Sequence, residues 1–156
     1  MNRRLSATAF LTAVLVSIAL VASGAPAPTA KTDDVKFTDA QKQTAEFMGY
    51  WKNLPLTPQQ EAIKREALSA LPAPCCDDNS LYTCCCPCNM AKTSWGLANY
   101  LIAKKGYGVH QVRTKVADWV RFINPQGYPG DTCYTGGCNK PFAKAGCGGM
   151  AEPVVF

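Results

Sequence analysis

The chain has 156 residues, with 16 lysines and arginines against 11 aspartates and glutamates, for a formal charge of +5. That surplus is too weak to point to nucleic acid. The single histidine, His110, has no neighbouring Ser or Cys in a triad motif, a poor basis for hydrolytic catalysis. No phosphate-cradling loop occurs, and Gly136-Gly137 and Gly148-Gly149 read as turn glycines.

Residues 1–24 read as an export signal. Arg3 and Arg4 open it, an apolar run from Ala9 to Ala22 follows, and the small residues Ala22-Ser23-Gly24-Ala25 close it. Basic, apolar, small is the order of a secretory signal. The run is short for a membrane span of about 20 residues, so membrane contact is expected only through an uncleaved signal. Arg3 and Arg4 are the only charges in this segment, so the remainder carries +3. Residues 25–36, rich in Pro and Ala, read as a flexible leader. Residues 37–156 are one domain's worth of chain. Export places it in the periplasm or outside the cell.

Four helical patterns follow, and no convincing strand. The first spans about Asp39 to Lys52, with Ala40, Phe47, Met48 and Trp51 near one face and Thr38 or Asp39 as cap. The second starts at a capping box, with Thr57 as N-cap, Pro58 first in the helix and Gln60 third. Pro72 and Pro74 stop it. The third begins inside a cysteine cluster and runs to about Lys105, where Gly106 ends it. The fourth runs from Val109 to Ile123 on a stripe of Val109, Val112, Val116, Trp119, Val120 and Ile123. The tail after Asn124-Pro125 is rich in Gly, Pro and Cys and reads as irregular structure tied by cross-links or metal. The expected fold is therefore all-α: a small four-helix domain with Cys-rich loops and a C-terminal tail. Trp51, Trp95, Trp119, Phe47 and Phe122 read as core.

Six of the nine cysteines lie between Cys75 and Cys88, four of them in the run Cys84-Cys85-Cys86-Pro87-Cys88. Thiols at this density hold a metal, form disulfides or exchange one for the other. In an oxidising compartment unprotected thiols pair, and an odd number leaves one over. Pro87 disfavours helical dihedrals at Cys86 and suits the first helical position itself. Cys86 is thus expected as N-cap, with Cys88 in the first turn. On an extended backbone Cys84 and Cys86 point one way and Cys85 the other. Cys84, Cys86 and Cys88 are the expected metal ligands, with Cys75 or Cys76 folding back as a fourth. A helix start favours thiolate over thiol. Sulfur-only ligation selects Cu(I), Zn or iron–sulfur, and crowded thiolates in an exported chain favour Cu(I), then Zn. Met90, Met150 and His110 are weaker auxiliary candidates. In the tail, the Cys133–Cys138 gap reads as a disulfide loop, and Cys147 as the better candidate to complete the cluster.

The alternation Cys84-Cys85-Cys86-Pro87-Cys88 resembles the Cys-x-Cys-x-Cys core of the bacterial exported proteins named for a Pro-Cys-Tyr-Cys-Gly-Cys motif. Thr83, Cys85 and Pro87 stand where that motif has Pro, Tyr and Gly, and the lipid-anchor cysteine that members often carry is missing. The resemblance implies export and points to Cys84, Cys86 and Cys88. Three functions are thus expected in order: an exported metal-binding protein for sequestration, delivery or sensing; a disulfide-stapled structural or interaction domain; and a thiol–disulfide oxidoreductase using Cys85/Cys88 or Cys86/Cys88. The last lacks the βαβ pattern of a thioredoxin-like domain. The protein is more readily a binder than an enzyme.

Overall fold

A computed structural model describes residues 34–128 and 131–156. The expected signal and most of the leader lie outside the described residues. Order nonetheless begins before residue 37: Asp34 pairs with Lys115 at 2.8 Å and Val35 packs against the core.

The four expected helices are present: α1 Ala40–Asn53, α2 Pro58–Ser69, α3 Asn89–Lys105 and α4 Val109–Ile123. Their starts follow local chemistry. The Asp39 side chain accepts from the Lys42 N–H at 2.9 Å, and both halves of the Thr57/Gln60 capping box form. Gly106 ends α3 at φ 67°, a left-handed conformation that glycine enters without steric cost. The core aromatics are Phe47 and Trp119, with ring centroids 4.7 Å apart. Trp95 is partly buried and donates to the Leu81 carbonyl at 2.8 Å. Two of the expected core aromatics sit further out: Trp51 is half-buried under Lys92, and Phe122 is exposed at the edge of the aromatic cluster.

Helix α3 is central and touches α1, α2 and α4. It can do so because it is apolar or small around most of its circumference, burying Met90, Ala91, Leu97, Ala98, Leu101 and Ile102 together with Thr93, Ser94 and Gly96. Its closest neighbour is α1. A Cβ built on Gly96 would lie 1.8 Å from the Phe47 carbonyl oxygen, so the two backbones meet where only glycine fits.

Two expectations require correction. A small sheet exists: β1 Pro72–Ala73 pairs antiparallel with β2 Cys76–Ser80. Of the two prolines that stop α2, Pro72 also starts β1, because Pro is tolerated at the edge of a two-stranded ribbon. The Leu81 N–H donates to the Leu71 carbonyl and closes the hairpin, whose turn is Pro74-Cys75. The second correction concerns the start of α3. Cys88, not Cys86, is the N-cap, at φ −69° and ψ 166°. Pro87 instead occupies the centre of a three-residue turn in which the Cys88 N–H donates to the Cys86 carbonyl at 2.6 Å. The fixed φ of proline suits that turn as well as a helix start.

The later start of α3 has a tertiary cause. The chain's last segment caps the helix: the Asn89 N–H donates to the Gly149 carbonyl at 2.9 Å and the Met90 N–H to the Cys147 carbonyl at 3.1 Å. These are amides that a helix leaves without intrahelical partners. The Asn89 side chain reinforces the latch, donating to the Gly148 and Ala151 carbonyls at 2.8 and 3.0 Å.

A candidate metal centre built from four segments

Four separate stretches bring sulfur to one end of α3. The hairpin turn supplies Cys75. The loop ahead of α3 supplies Cys84, Cys85 and Cys86, and its N-cap Cys88. The short turns after α4 supply Cys133 and Cys138, and the latch segment supplies Cys147. Backbone hydrogen bonds fix these stretches on one another. The Cys133 N–H donates to the Cys75 carbonyl at 2.9 Å, and the Cys147 N–H to the Gly137 carbonyl at 3.0 Å. Gly148 follows at φ 73°, with the Phe142 ring 2.4 Å from where a Cβ would stand. Glycine there lets the chain turn back onto α3 immediately after Cys147.

Eight sulfurs fall into two adjoining groups. In the inner group, the Sγ atoms of Cys75, Cys88 and Cys147 lie within 4.8 Å of one another, and all three residues are buried. Cys84 joins them through hydrogen bonds with Cys75 and Cys88. In the outer group, Cys85, Cys86 and Cys133 lie within 4.8 Å of one another. The Cys86–Cys133 separation is 3.4 Å, and Cys138 donates to Cys133 at 3.6 Å. The groups share an edge, because Cys75, Cys133 and Cys138 also lie within 4.8 Å of one another.

No two of these sulfurs are bonded, and all nine cysteines are free. The expected Cys133–Cys138 disulfide loop is therefore not formed. Its two thiols face Cys86 and Cys75 as well as each other, a cluster geometry rather than an isolated pair. Bonds of about 2.3 Å around one tetrahedral ion put thiolates about 3.8 Å apart. Separations of 3.4 to 3.7 Å in the outer group, and the 4.8 Å limit in the inner one, are within small side-chain adjustments of that figure. The cysteine groups could hold a metal ion.

The electrostatics single out Cys88. Hydrogen bonds from the Cys147, Cys75 and Cys84 thiols, and a further one from the Ala91 N–H in the first turn of α3, hold its thiol far below the ordinary range. Its three partners move the other way. Cys84 is pushed up to about 12: a hydrogen bond from Cys75 favours its thiolate, but donation to Cys88 and burial outweigh that. Cys147 is raised too, its hydrogen bond from Cys75 being outweighed by donation to Cys88 and by burial. Cys75 is raised by its contacts with Cys147, Cys84 and Cys88, any one of which can accept its single S–H, and by burial. Among these four sulfurs, negative charge is therefore favoured on Cys88. Tyr128, half-buried beside this group, donates to the Gly146 carbonyl at 3.0 Å, and desolvation raises its pKa.

The five cysteines expected as ligands are thus divided. Cys75, Cys84 and Cys88 come together, and Cys147 completes their set. Cys86 lies in the outer group beside Cys85. The three-residue turn at Pro87 breaks the extended run that would have kept Cys84 and Cys86 on one side. Cys76 joins neither group: it opens β2, beyond the turn that carries Cys75, and its sulfur accepts from the Asn79 side chain at 3.6 Å. Cys76 is the odd ninth thiol. The Cys85/Cys88 and Cys86/Cys88 pairs are split between an outer and a fully buried position. Sequence reasoning missed the outer group, because Cys86 meets a partner 47 residues away that no local motif announces. His110 is exposed in the first turn of α4, Met90 is fully buried core, and Met150 is partly exposed on the latch segment. No helix among the described residues is long and apolar enough to cross a membrane. No family model, curated protein or solved structure matches this chain.

Proposed function

We propose that this protein is an exported binder of a soft metal ion, Cu(I) before Zn, acting in sequestration, delivery or sensing. One observation carries the reading: Cys75, Cys88 and Cys147, from three segments far apart in sequence, place buried sulfurs within 4.8 Å of one another, with Cys84 hydrogen-bonded to two of them. A buried cysteine is ordinarily a small apolar filler. Filling does not explain eight sulfurs turned towards one another in two adjoining groups. No carboxylate or imidazole joins the grouped sulfurs, which disfavours hard ions and suits Cu(I) and Zn.

Charge argues for Cu(I) as a multi-ion guest. Four thiolates around a single Cu(I) would leave three net negative charges in the core, a costly burial. Several Cu(I) ions bridged by the same sulfurs would neutralise most of it, and contiguous thiolates such as these are suited to bridging. Export rests on the basic–apolar–small segment at residues 1–24, and the Cys-x-Cys-x-Cys resemblance is in keeping with it.

The test is purification under anaerobic conditions, followed by thiol counting and elemental analysis of protein loaded with Cu(I) or Zn(II). Retention of stoichiometric metal through desalting is expected, with loss in Cys88→Ser and in Cys147→Ser. A protein that holds no metal under any loading condition, with its thiols oxidised in pairs, would instead be a disulfide-stapled domain.

A further inference from the structure

The two sulfur groups differ in access, and they touch. Cys85 is exposed and Cys86 and Cys133 are half-buried, with Cys138 buried behind them, whereas Cys75, Cys88 and Cys147 are 0 to 1 % exposed and Cys84 is the half-buried member of the inner four. Cys75 belongs to both neighbourhoods: it lies within 4.8 Å of Cys88 and Cys147 on one side and of Cys133 and Cys138 on the other. Cys75 is therefore the sulfur that links the accessible thiols to the fully buried ones. The hairpin turn that carries Cys75 is also tied directly to the outer group, by the Cys133 N–H donating to the Cys75 carbonyl.

We propose that Cys85, Cys86, Cys133 and Cys138 form a second metal site, which captures Cu(I) at the surface and passes it through Cys75 to the buried group. The proposal rests on the metal-binding reading above and assigns the outer thiols a distinct task within it. Transfer is ligand exchange at constant oxidation state. A Cu–S bond to Cys75 forms as the Cu–S bond to Cys133 or Cys138 breaks, and the proton displaced from Cys75 goes to the released thiolate. Separations below 4.8 Å let a two- or three-coordinate Cu(I) hold the old and new sulfurs together during the step, so no free ion is formed. The inner group then retains metal because three of its four sulfurs are shielded from competing thiols, and the outer group turns over because Cys85, Cys86 and Cys133 are not.

The experiment uses the full protein under anaerobic conditions, with Cu(I) supplied as its glutathione complex. Emission from solvent-shielded Cu(I)–thiolate reports filling of the inner group, and bathocuproine disulfonate withdraws what remains accessible. Wild-type protein loaded with limiting Cu(I) should show an early chelator-accessible fraction that becomes shielded with time. Cys85→Ser/Cys133→Ser should slow the rise of shielded emission by about tenfold or more yet reach the same final emission. Cys75→Ser should hold Cu(I) in the accessible fraction and shield none. Equal rates in wild type and the double variant would overturn the relay while leaving the inner site intact. Absence of shielded Cu(I) in wild type would overturn both readings. Should the double variant fold poorly by circular dichroism, the single Cys85→Ser change at the exposed position gives the same rate comparison.

Discussion

Helices α1 and α3 contain one interior glycine each facing different surroundings, and the two should respond to alanine with opposite sign. At Gly49 nothing lies within 4 Å of a new Cβ. Gly49→Ala should therefore stabilise the fold by the helix-propensity difference alone, about 0.8–1 kcal/mol. At Gly96 the new Cβ would stand 1.8 Å from the Phe47 carbonyl oxygen and 2.8 Å from the Trp51 nitrogen. A carbon and a carbonyl oxygen approach to about 3.3 Å at closest, so the helices must part by about 1.5 Å. Both obstructing atoms are backbone, so no side-chain rotation relieves them. Overpacking costs about 1–3 kcal/mol even where side chains can adjust. Here the upper end applies, offset by about 1 kcal/mol of propensity. A net loss of about 2 kcal/mol is expected, or a fall in Tm of roughly 6–10 °C. Thermal and urea unfolding of the metal-free variants, followed by circular dichroism, measures both. Gly96→Ala should also weaken metal binding, because α3 carries Cys88 at its start and a shifted helix moves that sulfur from Cys75. A Gly96→Ala protein as stable as wild type would refute the close backbone packing on which this reasoning stands.

The remaining predictions concern the sulfur groups and their supports. Asn89→Ala removes the donor to the Gly148 and Ala151 carbonyls and should cost about 2–3 kcal/mol in urea unfolding; unchanged stability would show that the latch segment is held without it. Cys76→Ser should leave metal stoichiometry unchanged in elemental analysis, since Cys76 belongs to neither group; loss of an ion would place it among the ligands. Metal uptake should release protons and weaken as pH falls. Cys88 is already a thiolate above its depressed pKa and gives none up, whereas Cys75, Cys84 and Cys147 are raised and protonated at neutral pH. Each displaced proton weakens loading about tenfold per unit of pH decrease. An indicator titration in weakly buffered solution that detects no proton release would contradict this.

Much of this protein is fixed over short stretches and was legible there. The Thr57/Gln60 box, the Asp39 cap, the Gly106 stop and the apolar stripe of α4 involve residues within about one or two turns, so the interactions that decide them are local. The crowding of cysteines ahead of α3 likewise marked the chemistry of the site. What tertiary structure decided was which sulfur faces which. Pro87 accepts a helix start or a tight turn with the same φ, and local sequence does not choose between them. The choice falls to the amides of Asn89 and Met90, which take carbonyls from Gly149 and Cys147 at the far end of the chain. That contact moves the N-cap to Cys88, turns Cys86 outward to Cys133, and seats Cys147 beside Cys75. Sequence alone thus determined that the chain concentrates thiols at the start of a buried helix. Only the long-range closure of the tail sorted them into a buried group and an accessible one, because hydrogen bonds between segments some sixty residues apart leave no periodic trace in the order of residues.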